Sequence, residues 1–397
     1  MKRKKILFLI SRFPFPLIGG DKIKSFYLMK HLAKKYDVTL AAISFRSQPP
    51  KEWIEPLEKI GVKVYSIALN PIIGGIKTAL RLHQKYPLEI AFYLNNEFKN
   101  LVNKLCQENN FDYGISFFLR TAEYLKDKKF KKILISEDCR VLYQTRSYKS
   151  SQNIPQRLIR IWEVFKLKKY EPEIINYFDT VTLVTNDDIQ AMKQNNPNAR
   201  YRLVTNGVNT EQFSPPPDDF ERKDLLFTGK LSVWSNTLMA IKLTKEIMPE
   251  IIKHFPDVKL HIVGSNPVKQ ILEQQSKNII VHSSVPNIED FYKQCKIFMH
   301  PHLAATGIQN KLLEAMSSGL ACVTTKTGIQ GIDGIDGEHF LIANNNQEMI
   351  DYTIKLLKDD NLCKKLSKNA RQLILETHTW DVVYSQIDKV LEELENE

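Results

Sequence analysis

Short runs rich in apolar residues recur along the chain and set its first pattern. Ile6–Ile10 reads Ile-Leu-Phe-Leu-Ile, with no polar position on either side of the backbone. Such a run suits a strand covered on both faces, as in a parallel sheet. Val38–Phe45, Phe111–Phe118, Lys132–Ser136 and Thr180–Thr185 repeat the pattern before residue 205. Asp224–Thr228, Val258–Val263, Ile279–His282, Lys296–His300 and Ala321–Thr325 repeat it afterwards. Helical periods lie between them. One runs from Asp21, its expected N-cap, to about Lys35. Others cover Pro155–Ile174, a stretch from Asn236 or Ser235 to about His254, residues 346–375 and Trp380–Glu395. Asn186-Asp187-Asp188 reads as a further helix cap. Strands alternating with helices predict an α/β fold with parallel sheets. Ser214-Pro215-Pro216-Pro217 is linker chemistry. It places a boundary near residue 205, with a first domain over 1–205 and a second over 206–379.

Length supports this division, because 397 residues can build two sizeable cores. No apolar run approaches the roughly 20 residues that span a bilayer. Met1-Lys2-Arg3-Lys4-Lys5 precedes an apolar stretch too short for a secretory leader, so the start reads as a first strand. Five scattered cysteines (Cys106, Cys139, Cys295, Cys322, Cys363) lack paired spacing and are expected as free thiols in a reducing cytoplasm.

Charge changes the picture more. The net charge of +11 divides unevenly. Residues 1–205 hold 36 Lys+Arg and 19 Asp+Glu, a balance of +17; residues 206–397 hold 20 and 26, a balance of −6. The basic half points to an anionic partner: an anionic membrane surface, a lipid-pyrophosphate acceptor, or nucleic acid. The Pro155–Ile174 helix bears on this. It has apolar Leu158, Ile159, Ile161, Trp162, Phe165 and Leu167 among Arg157, Arg160, Lys166, Lys168 and Lys169. It can lie on a membrane or pack on the sheet with its lysines in water.

The chemistry concentrates in residues 305–319, Ala-Thr-Gly-Ile-Gln-Asn-Lys-Leu-Leu-Glu-Ala-Met-Ser-Ser-Gly. This reads as a turn at Gly307 feeding a helix capped by Asn310 or Gln309 and closed by Gly319. Lys311 sits in the first turn, where a cation opposes the helix dipole. An anion held there by free N–H groups and the lysine explains its place. Glu314 follows one turn on and can accept two vicinal hydroxyls, as on a ribose. The plainer alternative is an exposed Lys311–Glu314 surface pair.

These residues resemble the donor-binding motif of the family 4 GT-B glycosyltransferases, retaining enzymes that use nucleotide sugars. The Gly307–Lys311 run is most similar to a branch of bacterial sugar transferases from exopolysaccharide clusters. The resemblance implies two Rossmann-like domains facing each other across a cleft, with a last helix of about 380–397 returning to the first. Glu314 matches the motif's second glutamate, which contacts the ribose, while Thr306 stands where the first glutamate would. The same resemblance implies donor-binding roles for Gly20, Lys230, Gly264, Val285, Ile308, Gln309, Asn310 and Lys311 as well. Lys230 and Lys311 are the expected phosphate ligands, and Ser235 stands where a second lysine is usual. Val204–Phe213 resembles the family's domain junction. Gly20 and Asp21 belong to a glycine-bearing loop after the first strand, without dinucleotide spacing, so NAD is not expected.

Acceptor-side candidates are Asp21, Arg120, Glu137 and Asp138, the last three at strand ends where ligands collect. Arg120 is the nearest polar group where many relatives place a histidine. His300 and His302 form an H-x-H pair with no third ligand apparent, and no metal is expected. The expected reaction moves a sugar from a UDP- or GDP-linked donor to a hydroxyl of a lipid-linked or surface glycan. Lys230, Lys311 and Glu314 carry the catalytic roles, no further cofactor is needed, and the setting is the cytoplasmic face of the inner membrane. The competing expectations are an epimerase or phosphorylase of the same fold, and a non-enzymatic nucleic-acid binder.

Overall fold

A computed structural model describes residues 3–150, 153–217, 220–303 and 307–396. The chain separates into two compact units. The first takes the residues up to Val204 together with those from Tyr384 on; the second runs Thr205–Val383. The helix Trp380–Glu395 therefore starts in the second unit and ends in the first.

In the first unit seven strands form one sheet: β1 (Lys5–Ile10), β2 (Asp37–Phe45), β3 (Lys63–Leu69), β4 (Tyr113–Phe117), β5 (Lys131–Glu137), β6 (Thr180–Leu183) and β7 (Tyr201–Leu203). Their order is β3-β2-β1-β4-β5-β6-β7, and every pairing is parallel. Ile6 to Leu9 are fully buried, as their apolar run demands. The second unit repeats the plan with β8 (Lys223–Thr228), β9 (Leu260–Gly264), β10 (Ile279–Ser283), β11 (Cys295–His300), β12 (Ala321–Thr324) and β13 (Leu341–Ile342). Here the order is β10-β9-β8-β11-β12-β13, again all parallel. In a parallel sheet all carboxyl ends lie on one edge, so each unit gathers its strand-end loops there.

Several caps differ from expectation. The first helix is Gly20–Leu32, with Gly19 as its N-cap; Asp21 lies inside the first turn and makes no cap bond. Gly19 has φ 105°, so it is the conformationally demanding member of the pair, not Gly20. Thr185 caps the helix Asn186–Asn195 by accepting the N–H of Asp188. The expected helix to His254 begins at Trp234 with no side-chain cap and has a π-helical stretch at Leu243–Ile247. Asn236 and Ser235 do not cap it.

The helix Ile154–Ile175 divides along its length. Asn153 caps it. Its second half packs Leu167, Tyr170, Ile174 and Ile175 into the core. Its first half leaves Ile154, Leu158, Ile159, Ile161, Trp162 and Phe165 exposed, Leu158 by 62% and Phe165 by 54%. The nearby helix Pro71–Leu80 also exposes Ile72, Ile73, Ile76 and Leu80. No helix among the described residues is long and apolar enough to cross a membrane.

Candidate functional site

The central motif forms the helix Asn310–Ser317 after β11. Leu312, Leu313, Ala315 and Met316 bury its inner face. It ends in a Schellman motif: Leu320 N–H donates to Ala315 O and Gly319 N–H to Met316 O, with Gly319 at φ 66°. At the other end Gln309 is the N-cap but makes no side-chain cap bond. Asn310 is the first helical residue, and its Oδ1 accepts from Asn206 Nδ2 at 2.9 Å. The helix start thus has no side-chain cap, and with Leu312 N–H already donating to Gln309 O at 2.8 Å, such an uncapped start suits an anion.

Lys311 and Glu314 do not form the exposed surface pair. Lys311 Nζ donates to Asn236 Oδ1 and lies 5.7 Å from the centre of the Phe227 ring. Glu314 Oε2 accepts from the Tyr292 hydroxyl at 2.8 Å, and that hydroxyl meets Thr228 Oγ1 at 2.6 Å. No Lys311–Glu314 ion pair within 4.0 Å occurs among the described residues. Burial moves both groups toward neutrality. It pulls the Lys311 ammonium down to about 8, with the charge of Glu314 opposing. It pushes the Glu314 carboxyl up to about 7, with Tyr292 and Lys311 opposing. Behind them His300 and His302 are buried, and burial with the Lys311 charge holds His302 down at about 3 and His300 also well below its usual range. His300 Nε2 and His302 Nδ1 have no hydrogen-bond partner. Among the described residues no group of three His, Cys, Asp or Glu is placed to hold a metal.

The other donor-side candidates occupy the same strand-end edge in different ways. Lys230, just after β8, is exposed, and its side chain has no hydrogen bond or ion pair among the described residues. Gly264 ends β9, and a Cβ there would stand 1.7 Å from Gly229 O. Its glycine is therefore demanded by the loop that carries Lys230, whose neighbour Leu231 donates to Ser265 O at 2.9 Å. Val285 is half-buried in the turn after β10, where Ser284 N–H donates to Gly264 O at 3.1 Å. Ile308 is buried beside the helix start. Thr306 lies outside the described residues. Sequence reading missed Tyr292 and Thr228, which lie 22 and 86 positions from Glu314; neither has local spacing to mark it.

In the first unit the acceptor-side candidates separate. Glu137 turns inward: its Oε1 pairs with buried Lys24 Nζ at 2.7 Å, and Lys24 also donates to Val204 O at 2.9 Å. That carboxylate is engaged with Lys24 in the core rather than free at the strand end where an acceptor group was expected. Asp21 pairs with Arg12 at 3.7 Å and Asp138 with Arg140 at 3.3 Å. Arg120 pairs with Glu89, whose carboxylate also receives Arg140 Nη2 at 2.6 Å. Burial would push Glu89 up, but the two guanidinium groups overcome it and hold the carboxyl at about 2. Arg12, Arg120 and Arg140 thus stand together around one carboxylate at the strand-end edge of their own sheet.

The fold of two parallel sheets is what known structures share with this chain. A solved structure of Anabaena Alr3699/HepE, described in complex with UDP and glucose, superposes with a TM-score of 0.68 over 98% of this chain and 100% of that one, at 15% identity. Sucrose-phosphate synthase from Thermosynechococcus elongatus gives 0.71 over 99% of each chain, at 14% identity. The chain has the GT-B fold. Within this GT-B chain, residues 222–359 match the family described as glycosyl transferases group 1. A Klebsiella pneumoniae protein described as an uncharacterized 44.6 kDa protein in the cps region is 23% identical over 97% of this chain and 99% of its own length. The phosphatidyl-myo-inositol mannosyltransferase of Mycolicibacterium smegmatis is 24% identical over 48% of this chain and 51% of that enzyme. Together these likenesses support a glycosyltransferase of the GT-B superfamily.

Proposed function

We propose that this chain is a retaining glycosyltransferase of family 4, in the bacterial exopolysaccharide branch. It moves a hexose from a UDP- or GDP-linked donor to a hydroxyl of a lipid-linked or cell-surface glycan, with no metal or further cofactor. The observation that carries the reading is the Lys311–Glu314 arrangement: two oppositely charged groups, one turn apart, each displaced by burial toward its neutral form. Here a buried cation and a buried anion have only neutral partners, Asn236 and Tyr292, so a desolvation cost remains that a ligand with complementary groups offsets. A nucleoside diphosphate does so. Its phosphates meet Lys311, Lys230 and the helix N–H groups, and its ribose hydroxyls donate to Glu314. The C1–oxygen bond to the diphosphate breaks, the acceptor oxygen bonds to C1, and the acceptor proton goes to the departing phosphate. Lys311 and Lys230 stabilise the charge that develops there.

Proton linkage tests this. Hydroxyls donating to Glu314 favour its charged form, so donor binding near pH 7 releases up to about half a proton. A diphosphate beside Lys311 favours the ammonium, so binding near pH 8 takes up a comparable fraction. Calorimetry of UDP- and GDP-sugars in buffers of different ionisation enthalpy is expected to show net release at the lower pH and net uptake at the higher. Heats that are independent of buffer at both would contradict the assignment.

The acceptor reading places the protein at the inner face of the cytoplasmic membrane and expects no nucleic-acid partner. The +17 balance of residues 1–205 and the exposed apolar residues of Ile154–Ile175 and Pro71–Leu80 support it. The protein is expected to cosediment with anionic vesicles and to be released by salt, because that attraction is screened. Equal recovery on neutral vesicles, or indifference to salt, would remove the membrane from the account.

A further inference from the structure

Four adjacent strands of the first sheet each end in an arginine. Arg12 follows β1, Arg46 follows β2, Arg120 follows β4 and Arg140 follows β5. All four line one cavity of about 640 Å³, and Arg160 of the helix Ile154–Ile175 adds a fifth. Among the described residues Glu89 is the acidic group in the lining itself. Asp21 and Asp138 pair with Arg12 and Arg140 from outside the lining, so five positive charges meet three negative ones, an excess of two.

The array is built, not incidental. Glu163 Oε2 and Oε1 accept the N–H groups of Leu88 and Glu89 at 2.7 and 3.0 Å, fixing Glu89 at the cavity's base. Glu89 in turn orients Arg120 and Arg140, and Arg140 is only 8% exposed. Arg12 is braced by the Tyr93 hydroxyl at 3.2 Å. Arg120 stacks over Tyr93 and Phe118, and its buried Nη1 has no hydrogen-bond partner. Three strand ends adopt positive φ on the way: Arg46 at 69°, Phe118 at 68° and Glu137 at 69°. Non-glycine residues keep that conformation only where the surroundings impose it, and such positions cluster at binding sites. Planar guanidinium groups with spare N–H donors around a concave site match phosphate oxygens. The rim is apolar on one side: Phe45, Phe92 and Pro71 line it, and Pro71 begins the helix that exposes Ile72, Ile73, Ile76 and Leu80.

We propose that this arginine pocket binds the diphosphate of the acceptor, an isoprenoid-type lipid diphosphate whose apolar tail leaves over the Pro71–Leu80 helix. The inference rests on the glycosyltransferase reading, because it assigns the pocket to that reaction's acceptor. Five guanidinium groups around one concave site argue for a diphosphate over a monophosphate, and the apolar rim argues for a lipid ester over the free anion.

The test is calorimetry on the full chain with geranyl diphosphate, geranyl monophosphate, inorganic pyrophosphate and UDP-glucose, the last also as competitor. Geranyl diphosphate is expected to bind with one site, about ten-fold or more tighter than inorganic pyrophosphate or the monophosphate. UDP-glucose is expected not to displace it. Arg46→Gln with Arg160→Gln, both near the rim, is expected to weaken it about ten-fold and to leave UDP-glucose affinity unchanged. Arg120→Lys keeps the charge but loses the fork and is expected to weaken it by a similar factor. Retained donor binding in each variant shows that the chain is folded. Competition by UDP-glucose would overturn the proposal by making the pocket part of the donor site. Equal binding of inorganic pyrophosphate would overturn the lipid assignment. Donor binding without any binding of geranyl diphosphate would overturn this inference alone, whereas binding of geranyl diphosphate without any nucleotide sugar would overturn the glycosyltransferase reading and the acceptor role together.

Discussion

Lys311→Gln is expected to lower sugar transfer by roughly 10- to 1000-fold, the scale of losing one donor from a preorganised anion site. The same change is expected to make the ligand-free chain more stable. Lys311 is pulled down to about 8 from an ordinary 10.5. The unfolded chain therefore binds the extra proton more readily over that interval, and folding at neutral pH carries a penalty on the order of 1–3 kcal/mol. Glutamine keeps an amide to meet Asn236 and drops the charge. The gain should be full below pH 8 and fade as the pH rises from 8 to 10.5, where wild type loses the proton in both states. A surface Lys–Glu pair predicts the reverse: a loss of only about 0.2–0.5 kcal/mol and no change in transfer. Melting curves at pH 7 and pH 10, with transfer rates, separate the two.

Glu314→Gln is expected to cost about 1.5–3 kcal/mol of nucleotide affinity, the range for hydrogen bonds to a charged group. Shape is kept, but the carboxylate proposed to accept both ribose hydroxyls is not. Its effect on ligand-free stability has its own pH window. A carboxyl pushed up to about 7 contributes stability in full below its ordinary 4.5 and loses it as the pH rises to 7. The variant should thus match wild type near pH 4.5 and exceed it at pH 7 and above. Unchanged nucleotide binding by calorimetry would return Glu314 to a role in holding Tyr292.

The two sheets were legible because buried parallel strands must be apolar on both faces, and the runs at Ile6–Ile10 and Lys296–His300 show it directly. Caps were less legible. Asp21 and Asn236 have the right side chains, but the chain spends them elsewhere: Asp21 on Arg12 and Asn236 on Lys311 and the Lys230 carbonyl. Cap propensity is local, and a tertiary partner overrides it. Lys311 and Glu314 were visible as an oddity of sequence, a cation at a helix start; their burial and their partners, Asn236 and Tyr292, were not. The arginine pocket was hidden because its successive members stand between 20 and 74 positions apart along the chain. A signal existed: an arginine within four residues of four separate apolar runs, at Arg12, Arg46, Arg120 and Arg140. Only the strand order brings those ends side by side. The split of the helix Ile154–Ile175 into a packed half and an exposed half also follows from its place beside the sheet, since its apolar residues are dense throughout.

The most direct test of the central claim is a thermal-shift panel of UDP-, GDP-, ADP- and CMP-sugars on wild type and Lys311→Gln, side by side. A ligand that binds only the folded chain at about 100 times its Kd adds about 2.7 kcal/mol of stability. The account predicts that a UDP- or GDP-sugar raises the melting temperature of wild type by several degrees and does far less for the variant, although the variant starts from a higher baseline. A panel in which no nucleotide sugar moves wild type, or in which the variant keeps the full shift, would contradict it.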